Sequence, residues 1–338
     1  MKRLKKEIIF YLIPLPLIFL SLFIGPSEQV GPIEILDWVL RKTTLLSFPG
    51  PTYDSMVETI VLHVRLPRVL LTFFAGAALT ASGTSLQALF RNPLVSPDIL
   101  GISSGAAFGA ALALTSTWLP LQLTAFVFGL IAVGLSYFIA QRKGDVSLTS
   151  LILSGIIVNG IFTSLLTIVQ FLTDPFKLQT IVHWTMGNLH HANWSKWESA
   201  FFPILLGGVW LYGMRWRMNV LSLGDEETRA VGLDPKREKI RILIPATLIA
   251  SASVAVAGVI GMVGLAVPHI VRMMVGPDNT RTMPVSFAFG GIFLLLVDNF
   301  SRTVASFEVP IGIFTTLIGG SFFVYLLKRA QDLYQLER

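Results

Sequence analysis

Long apolar stretches separated by short polar segments run along almost the whole chain. A helix needs about 20 mainly apolar residues to cross the roughly 30 Å hydrocarbon core of a membrane. We therefore interpret each stretch as a membrane-spanning helix, which predicts an all-α polytopic membrane protein. The stretches run approximately over 8–24, 69–90, 99–119, 121–140, 148–172, 199–214, 242–271, 284–300 and 309–327.

The stretch 242–271 carries no charged residue and would form a helix of about 45 Å, which is too long for one crossing. Gly258, Gly261 and Gly264 lie in its middle. We therefore divide it into spans 242–257 and 259–275 joined by a tight glycine turn, which gives ten spans.

The distribution of basic residues supports this division. With ten spans and a cytoplasmic start, most of the 26 Lys and Arg residues fall on the cytoplasmic side, as the positive-inside rule requires. An undivided stretch would move Arg272, Arg281 and the basic C-terminus outside. Both termini are therefore predicted to be cytoplasmic. The basic residues left outside are Arg41, Lys42, Arg65, Arg68, Lys177, Lys196 and Arg302.

The two ends of the first apolar stretch decide how it is interpreted. Met1–Lys6 is basic, as in a secretory signal, but no small-x-small cleavage site follows, so 8–24 is predicted to be an uncleaved first span. No Gly/Ser-rich linker divides the chain, and we treat 1–338 as one transmembrane domain. The segment 25–68 contains four prolines and is predicted to be a partly ordered extracytoplasmic loop.

Composition excludes the other broad classes. The 338 residues are 53% hydrophobic and only 14% charged, with a mean hydropathy of +0.69, which excludes a water-soluble enzyme and a disordered chain. The net charge of +6 follows from the cytoplasmic loops and does not indicate nucleic-acid binding. The absence of cysteine excludes disulfides and thiolate metal sites.

Small residues recur at helical spacing in two of the spans. Gly101, Gly105 and Gly109 lie four residues apart, and Gly76 and Gly83 mark the second span. Such faces let another helix backbone approach closely. Tight helix packing is the favoured interpretation, and a groove that lines a substrate path is the alternative.

Few ionisable residues lie inside the spans. Asp298 lies near the outer end of the ninth span, four residues before Arg302, so a structural ion pair is favoured over a proton relay. This shortage of titratable groups argues against an ion-coupled carrier. His190 and His191 are adjacent in a loop with no carboxylate close in the sequence, so no metal site is predicted.

The largest cytoplasmic loop contains a predicted short helix within the segment 221–238. Asp225, Glu226 and Glu227 suit the positive end of a helix, Arg229 lies one turn further on, and Gly232 suits its C-terminal cap. The helix is either a solvated linker or a contact surface for another protein. The chain carries no Gly-x4-Gly-Lys-Ser/Thr motif, so ATP hydrolysis of the P-loop type is not expected of it.

Several motifs follow one another in order from about Arg65 to Leu327. They are Arg65-Leu-Pro-Arg68, Gly76 to Gly83, Gln87 to Leu94, Pro97 to Ala106, Leu223-Gly-Asp-Glu, Gly258 to Arg272 and Glu308 to Gly320. Together these motifs resemble the permeases that import iron-siderophores, haem and vitamin B12 in type II ATP-binding-cassette (ABC) systems. The family's ten-span fold agrees with the charge distribution.

The resemblance implies a homodimer in a bacterial or archaeal cytoplasmic (inner) membrane, in contact with lipid, with two ATPase subunits and an extracytoplasmic binding protein. ATP and Mg would be bound by the ATPase partners, and this chain would hold no cofactor and no metal. The residues Gly224, Asp225, Glu226, Glu227, Arg229 and Gly232 would couple to the ATPase.

The resemblance also implies an inner gate and an outer docking site. Ser147, Leu148, Thr149 and Ser150 would form the gate, although an ordinary helix start capped by Ser147 or Thr149 is the alternative. Arg65, Arg68 and Arg302 would receive acidic residues of the binding protein, and membrane-surface anchors are the alternative for them.

The expected substrate is an iron chelate or another metal chelate, including haem and cobalamin. A molybdate or tungstate importer of the same fold is an alternative. An ion-coupled secondary carrier is a less favoured class, which would keep transporting after ATP depletion while the membrane potential is held. A membrane scaffold would show no substrate flux in vesicles.

Overall fold

The computed structural model describes residues 12–25, 30–43, 54–142, 145–305 and 307–336. The described chain is almost entirely helical, as the apolar pattern predicts. The helices are α1 Pro14–Ser21, α2 Pro32–Thr43, α3 Asp54–Thr59, α4 Leu66–Phe90, α5 Ile102–Thr115, α6 Leu121–Ala140, α7 Leu148–Leu172, α8 Pro175–Thr185, α9 Trp194–Leu223, α10 Asp225–Ala230, α11 Pro235–Ala257, α12 Val263–Val275, α13 Asn279–Ser301 and α14 Ile311–Leu336. A π-helical segment, Ile60–Arg65, joins α3 to α4, and a 3₁₀ turn covers Pro97–Leu100. Two short strands, β1 Gln141–Arg142 and β2 Asp145–Val146, pair antiparallel before α7.

Several helices begin at capping residues that the sequence supplies. The carboxylates of Asp174 and Asp234 accept backbone N–H groups of the first turns of α8 and α11, and a proline follows each of them. Asn193 and Asp278 cap α9 and α13 in the same way. Because the first amide groups of a helix have no partner inside it, these caps fix where each segment starts.

Helix α4 lies at the centre and is buried along nearly its whole length. A Cβ atom at Gly76 would collide with the carbonyl oxygen of Gly290 in α13, and one at Gly83 with that of Gly264 in α12. Lipid is as apolar as the side chains, so close van der Waals packing supplies much of the attraction between membrane helices. The packing interpretation of Gly76 and Gly83 is confirmed.

Helices α5 and α6 approach each other in a similar way. A Cβ atom added at Gly105 would lie 2.6 Å from the carbonyl oxygen of Phe128, and one at Gly109 would lie 2.7 Å from that of Thr124. Gly101 adopts a φ of 83° where the 3₁₀ turn meets α5. The face that carries Gly105 and Gly109 is therefore a packing face between two helices.

The long uncharged stretch is broken where its glycines predict. Helix α11 ends at Ala257 and α12 begins at Val263, with Gly258 at a φ of 73°. The N–H group of Asn188 donates to the carbonyl oxygen of Ala257 at 2.8 Å, which satisfies an acceptor that the end of the helix leaves free. The division of 242–271 into two helices is confirmed.

Some boundaries differ from those predicted. The second span begins at Leu66 and continues directly from the π-helical segment, because Pro67 is tolerated in the first turn of a helix. The predicted span 99–119 is the shorter helix α5, since residues Pro97–Leu100 form a 3₁₀ turn and the chain turns extended at Ser116. The described part of the segment 25–68, predicted to be a loop, contains α2, α3 and the π-helical segment. Helix α8 was not predicted.

Within the described ranges, six helices are long and apolar enough to cross a membrane, and two apolar helices, Ile102–Thr115 and Val263–Val275, are shorter. The protein is therefore a helical, polytopic membrane protein. The six are Ser55–Phe90, Leu121–Ala140, Leu148–Leu172, Pro235–Ala257, Asn279–Ser301 and Ile311–Lys328. The first of them joins α3, the π-helical segment and α4 into one continuous helix.

The packing of α4 yields a direct test. Gly83→Val places a branched side chain against the Gly264 backbone, and we expect it to lower the free energy of unfolding by about 1–3 kcal/mol or to prevent folding. The control is Gly134→Val in α6, where a Cβ atom would have no neighbour within 4 Å. Thermal unfolding in detergent compares the two, and equal melting temperatures would refute the packing role of Gly83.

Candidate functional site

The predicted short helix of the largest loop is α10. Asp225, Glu226 and Glu227 occupy its first turn, where negative charge stabilises the helix. At its other end Gly232 adopts a φ of 81°, and its N–H group donates to the carbonyl oxygen of Arg229 at 2.9 Å. The glycine thus ends the helix in the left-handed conformation expected after a C-terminal cap.

One side of α10 is buried against the protein, and the other side is exposed to solvent. The Thr228 hydroxyl is buried, donates to the carbonyl oxygen of the cap residue Gly224 at 2.5 Å and lies 3.4 Å from that of Val220 in α9. Glu226, Glu227 and Arg229 are exposed. The apolar side chains of Leu223 and Val231, which flank the helix, are 70% and 55% exposed. This combination of exposed charges and apolar side chains suits a contact with another protein.

The predicted gate segment lies at the start of α7. Ser147 is the N-cap, and its Oγ accepts the N–H of Ser150 at 3.0 Å. The alternative interpretation of this stretch as a capped helix start is therefore correct as a description of local structure. All four residues of the segment line a cavity of about 990 Å³.

That cavity brings the two predicted cytoplasmic sites together. Asp225, the first residue of α10, lines the same cavity as the gate segment, along with Arg91 and Lys239. The Lys239 ammonium group lies 2.6 Å from the Asp225 carboxylate, and a guanidinium nitrogen of Arg91 lies 3.8 Å from it. Sequence reasoning missed Arg91 and Lys239 as neighbours of Asp225, because Arg91 follows α4 and Lys239 lies in α11.

The three predicted docking arginines form a second cluster around the start of α4 and the end of α13, on the side that the sequence predicts to be outside. Arg68 lies 2.8 Å from Asp298 and 2.8 Å from Glu308, so one guanidinium group bridges two carboxylates. Arg302 lies 3.1 Å from Asp298, which confirms the predicted structural pair. We call Arg68, Arg302, Asp298, Glu308 and His190 the outer charge network.

Arg65 and Arg302 also tie the chain before α2 to this end of the protein. Arg65 donates to the carbonyl oxygens of Leu22 and Val30 at 2.9 and 2.8 Å, and Arg302 donates to that of Ile24 at 2.8 Å. The exposed fractions of Arg65, Arg68 and Arg302 are only 4%, 7% and 4%. All three groups are therefore engaged inside the protein.

His190 joins the network through a carboxylate distant in the sequence. Its Nδ1 atom lies 2.8 Å from Glu308, so a carboxylate is close in space although none is close along the chain. Burial favours the neutral form of Glu308, but Arg68 and His190 outweigh it and hold the pKa of that carboxyl below its usual value. Among the described residues no group of three or more His, Asp and Glu is placed to hold a metal ion.

Glu308 is the network member that sequence reasoning missed as a charged group. It entered the sequence analysis only as the first residue of a motif. Its loop lies between α13 and α14, and nothing in its local pattern indicates that it reaches Arg68, which is 240 positions earlier. Only the fold brings these two charges together.

The chain is similar to known transport proteins over most of its length. The model of the FecCD transport family matches residues 12–329. The molybdate import system permease MolB of Haemophilus influenzae is 38% identical over 92% of each chain. The hemin transport system permease HmuU of Yersinia pestis is 37% identical, over 94% of this chain and 95% of its own.

A third relative and a solved structure extend the comparison. The cobalamin import permease BtuC of Halobacterium salinarum is 39% identical, over 84% of this chain and 78% of its own. The structure of an inward-facing transporter of the metal-chelate ABC type superposes with a TM-score of 0.82 at 33% identity. It covers 96% of this chain and 99% of its own.

The lowered pKa of Glu308 predicts how the stability should depend on pH. A carboxyl whose pKa is lower in the folded protein stabilises it above the ordinary value of about 4.3, and this contribution is lost as the pH falls through the folded value. We expect Glu308→Gln to cost about 1–3 kcal/mol at pH 7, because hydrogen bonds to charged groups are lost. The difference from wild type should shrink below about pH 4.

Thermal unfolding in detergent from pH 7 to 3.5 measures this effect. Glu198→Gln, which changes an exposed glutamate near the start of α9, serves as the control. A difference between wild type and Glu308→Gln that persists unchanged at pH 3.5 would contradict the prediction.

Proposed function

The chain belongs to the FecCD transport family of ABC importer permeases, and from that premise we propose that it carries a metal chelate across the inner membrane as one half of a homodimer. The match to an inward-facing metal-chelate ABC transporter over 96% of the chain is the observation that carries this proposal. The active complex would contain two copies of the chain, two ATPase subunits and an extracytoplasmic binding protein.

In this proposal ATP and Mg act in the ATPase partners, and α10 transmits their movement to the permease. The support lies in the geometry of α10, whose Thr228 is buried and contacts Val220 of α9, and which presents Glu226 and Arg229 to solvent. Exposed apolar side chains on either side of it offer additional contact area. The segment 147–150 would be the inner gate, because it borders the same cavity as Asp225.

The proposed topology has ten spans with both termini in the cytoplasm. The positive-inside distribution of Lys and Arg supports it, and each predicted span contains at least part of a described helix. It predicts that an impermeant maleimide labels Trp118→Cys from outside, and labels Arg237→Cys only after permeabilisation. The reverse pattern would overturn the orientation.

The substrate proposal rests partly on the surface of α7. This helix leads away from the gate segment, and its 25 residues include no Asp, Glu, Lys or Arg. Leu153, Ile156 and Ile161 on it are at least half exposed in the single chain. Such an apolar surface with no cationic group suits a bulky chelate better than a bare oxyanion, which needs hydrogen-bond donors or positive charge.

An oxyanion importer is the second candidate, because MolB of Haemophilus influenzae is as similar to this chain as the hemin and cobalamin permeases are. Identities of 37–39% for three different substrates do not rank those substrates. The binding protein is expected to hold much of the selectivity.

For the outer face we propose that docking of the binding protein involves Arg65, Arg68 and Arg302, as the resemblance implies. Acidic residues of the partner would have to compete with carboxylates for Arg68 and Arg302 and with backbone carbonyl oxygens for Arg65. All three arginines are almost fully buried. The three arginines therefore have a structural role first. Reversing their charge would disrupt the outer charge network as well as docking, so it would not separate the two roles.

The coupling role of α10 can be tested by removing its two exposed charges. We expect Glu226→Ala with Arg229→Ala to reduce co-purification with the ATPase subunit by about fivefold or more, because both charges are placed in the contact. The control is Lys177→Ala with Glu198→Ala, which changes two exposed charges elsewhere in the chain. Unchanged co-purification and unchanged transport-linked ATP turnover would exclude α10 as the coupling element.

The transport function can be tested in proteoliposomes that contain the complete complex. We expect ATP-dependent uptake of a ferric siderophore, haem or cobalamin when the loaded binding protein is supplied, and no uptake of molybdate. Uptake of molybdate alone would favour the second candidate. Uptake that follows an ion gradient without ATP would overturn the ABC mechanism, and no flux of any substrate would indicate a scaffold.

A further inference from the structure

The two carboxylate oxygens of Asp225 have different environments. Oδ2 lies 2.6 Å from the Lys239 ammonium group in α11. Oδ1 is buried and accepts no hydrogen bond, and a guanidinium nitrogen of Arg91 lies 3.8 Å from it. The carboxylate is thus bound firmly on one side and incompletely on the other.

An incompletely bound carboxylate favours a second arrangement. A buried acceptor without a donor costs free energy, and a charge-assisted hydrogen bond would remove that cost. Such bonds form at about 2.7–2.9 Å, so a relative movement of about 1 Å would complete the pair. The Arg91 side chain is 40% exposed and therefore has room to move.

The positions of the two residues make this movement relevant to transport. Asp225 is the first residue of α10, and Arg91 follows the last residue of α4. Arg91 has a φ of 51°, an unusual conformation for a residue other than glycine. Both line the cavity of about 990 Å³ that the gate segment 147–150 also borders. A closed Arg91–Asp225 pair would therefore change the shape of a cavity that the gate segment lines.

We propose that Arg91 and Asp225 form a latch that links the position of α10 to the gate segment. This inference rests on the proposed function, since it assigns α10 to the contact with the ATPase. The long Lys239 side chain stays paired with Asp225 in both states, and the Arg91–Asp225 contact closes when the ATPase displaces α10. The latch is open in the present structure, with a gap of 3.8 Å.

The small size of α10 supports this route. The helix has six residues, and Thr228 and Asp225 provide its side-chain attachments to α9 and α11. A displacement of α10 therefore moves Asp225 directly, and Arg91 passes the change to the end of the central helix α4. Arg91 and Asp225 are positioning residues, because they act on the gate through the cavity between them.

The experiment uses the complete complex in proteoliposomes and the absence of native cysteine in the chain. Leu148→Cys reports the gate through cross-linking between protomers, with and without a trapped nucleotide. Substrate transported per ATP hydrolysed is measured in parallel on the chain without that cysteine. The variants are Arg91→Gln, Asp225→Asn and their double mutant, with Arg91→Lys as the conservative change. The control is Arg215→Gln. In the wild-type chain the Arg215 guanidinium group contacts Tyr212 within α9.

We expect Arg91→Gln and Asp225→Asn to lower transport per ATP by about fivefold and to flatten the nucleotide dependence of cross-linking, and we expect Arg91→Gln to retain the ATPase subunit. The double mutant should be no worse than either single variant, because two residues of one contact are not additive. Arg91→Lys should recover part of the loss, and Arg215→Gln should match wild type.

Unchanged transport per ATP in both single variants, or additive losses in the double mutant, would overturn the latch whatever the cross-linking shows. The proposed function would stand in that case, provided that the wild-type complex transports a substrate with ATP. Failure of the wild-type chain to bind an ATPase subunit would overturn the proposed function itself, and the latch with it.

Discussion

The structure depends on the close backbone packing around α4. This helix meets α13 where Gly76 faces Gly290 and meets α12 where Gly83 faces Gly264, with no room for a side chain at either crossing. Lipid offers helices no hydrophobic reason to associate, so shape complementarity of this kind has to supply the attraction. It also fixes the register of α4, whose two ends carry the arginines of the outer and inner charge clusters.

The two clusters differ in how completely their charges are paired. At the outer end Arg68 contacts two carboxylates, and Asp298 contacts two guanidinium groups. Buried charges require such pairing, because an unpaired one is expensive away from water. At the other end of α4, Asp225 is bound to Lys239 at 2.6 Å, and Arg91 lies 3.8 Å from it without a hydrogen bond. Helix α4, about 35 Å long between Arg68 and Arg91, therefore joins a fully paired charge network to a charge cluster that lacks one hydrogen bond.

The elements proposed to move lie at the surface or beside a cavity. Helix α10 is short and exposed on one side, and the gate segment opens a helix that borders a large cavity. The central helices are buried and closely packed, and they are expected to open least. A permease needs this division, since a rigid frame must hold a path that opens to one side at a time.

The sequence by itself determined the membrane character, the six long apolar helices and the break after Ala257, because apolar length and glycine are local signals. Its motifs also indicated the family. It also placed the cap at Ser147 and the pair of Asp298 with Arg302, which lie within one helical turn of their partners. It did not place Glu308 beside Arg68 and His190, or Arg91 and Lys239 beside Asp225, and it left three buried arginines as apparent surface charges. Those contacts join residues far apart along the chain, so only the packing of the helices decided them.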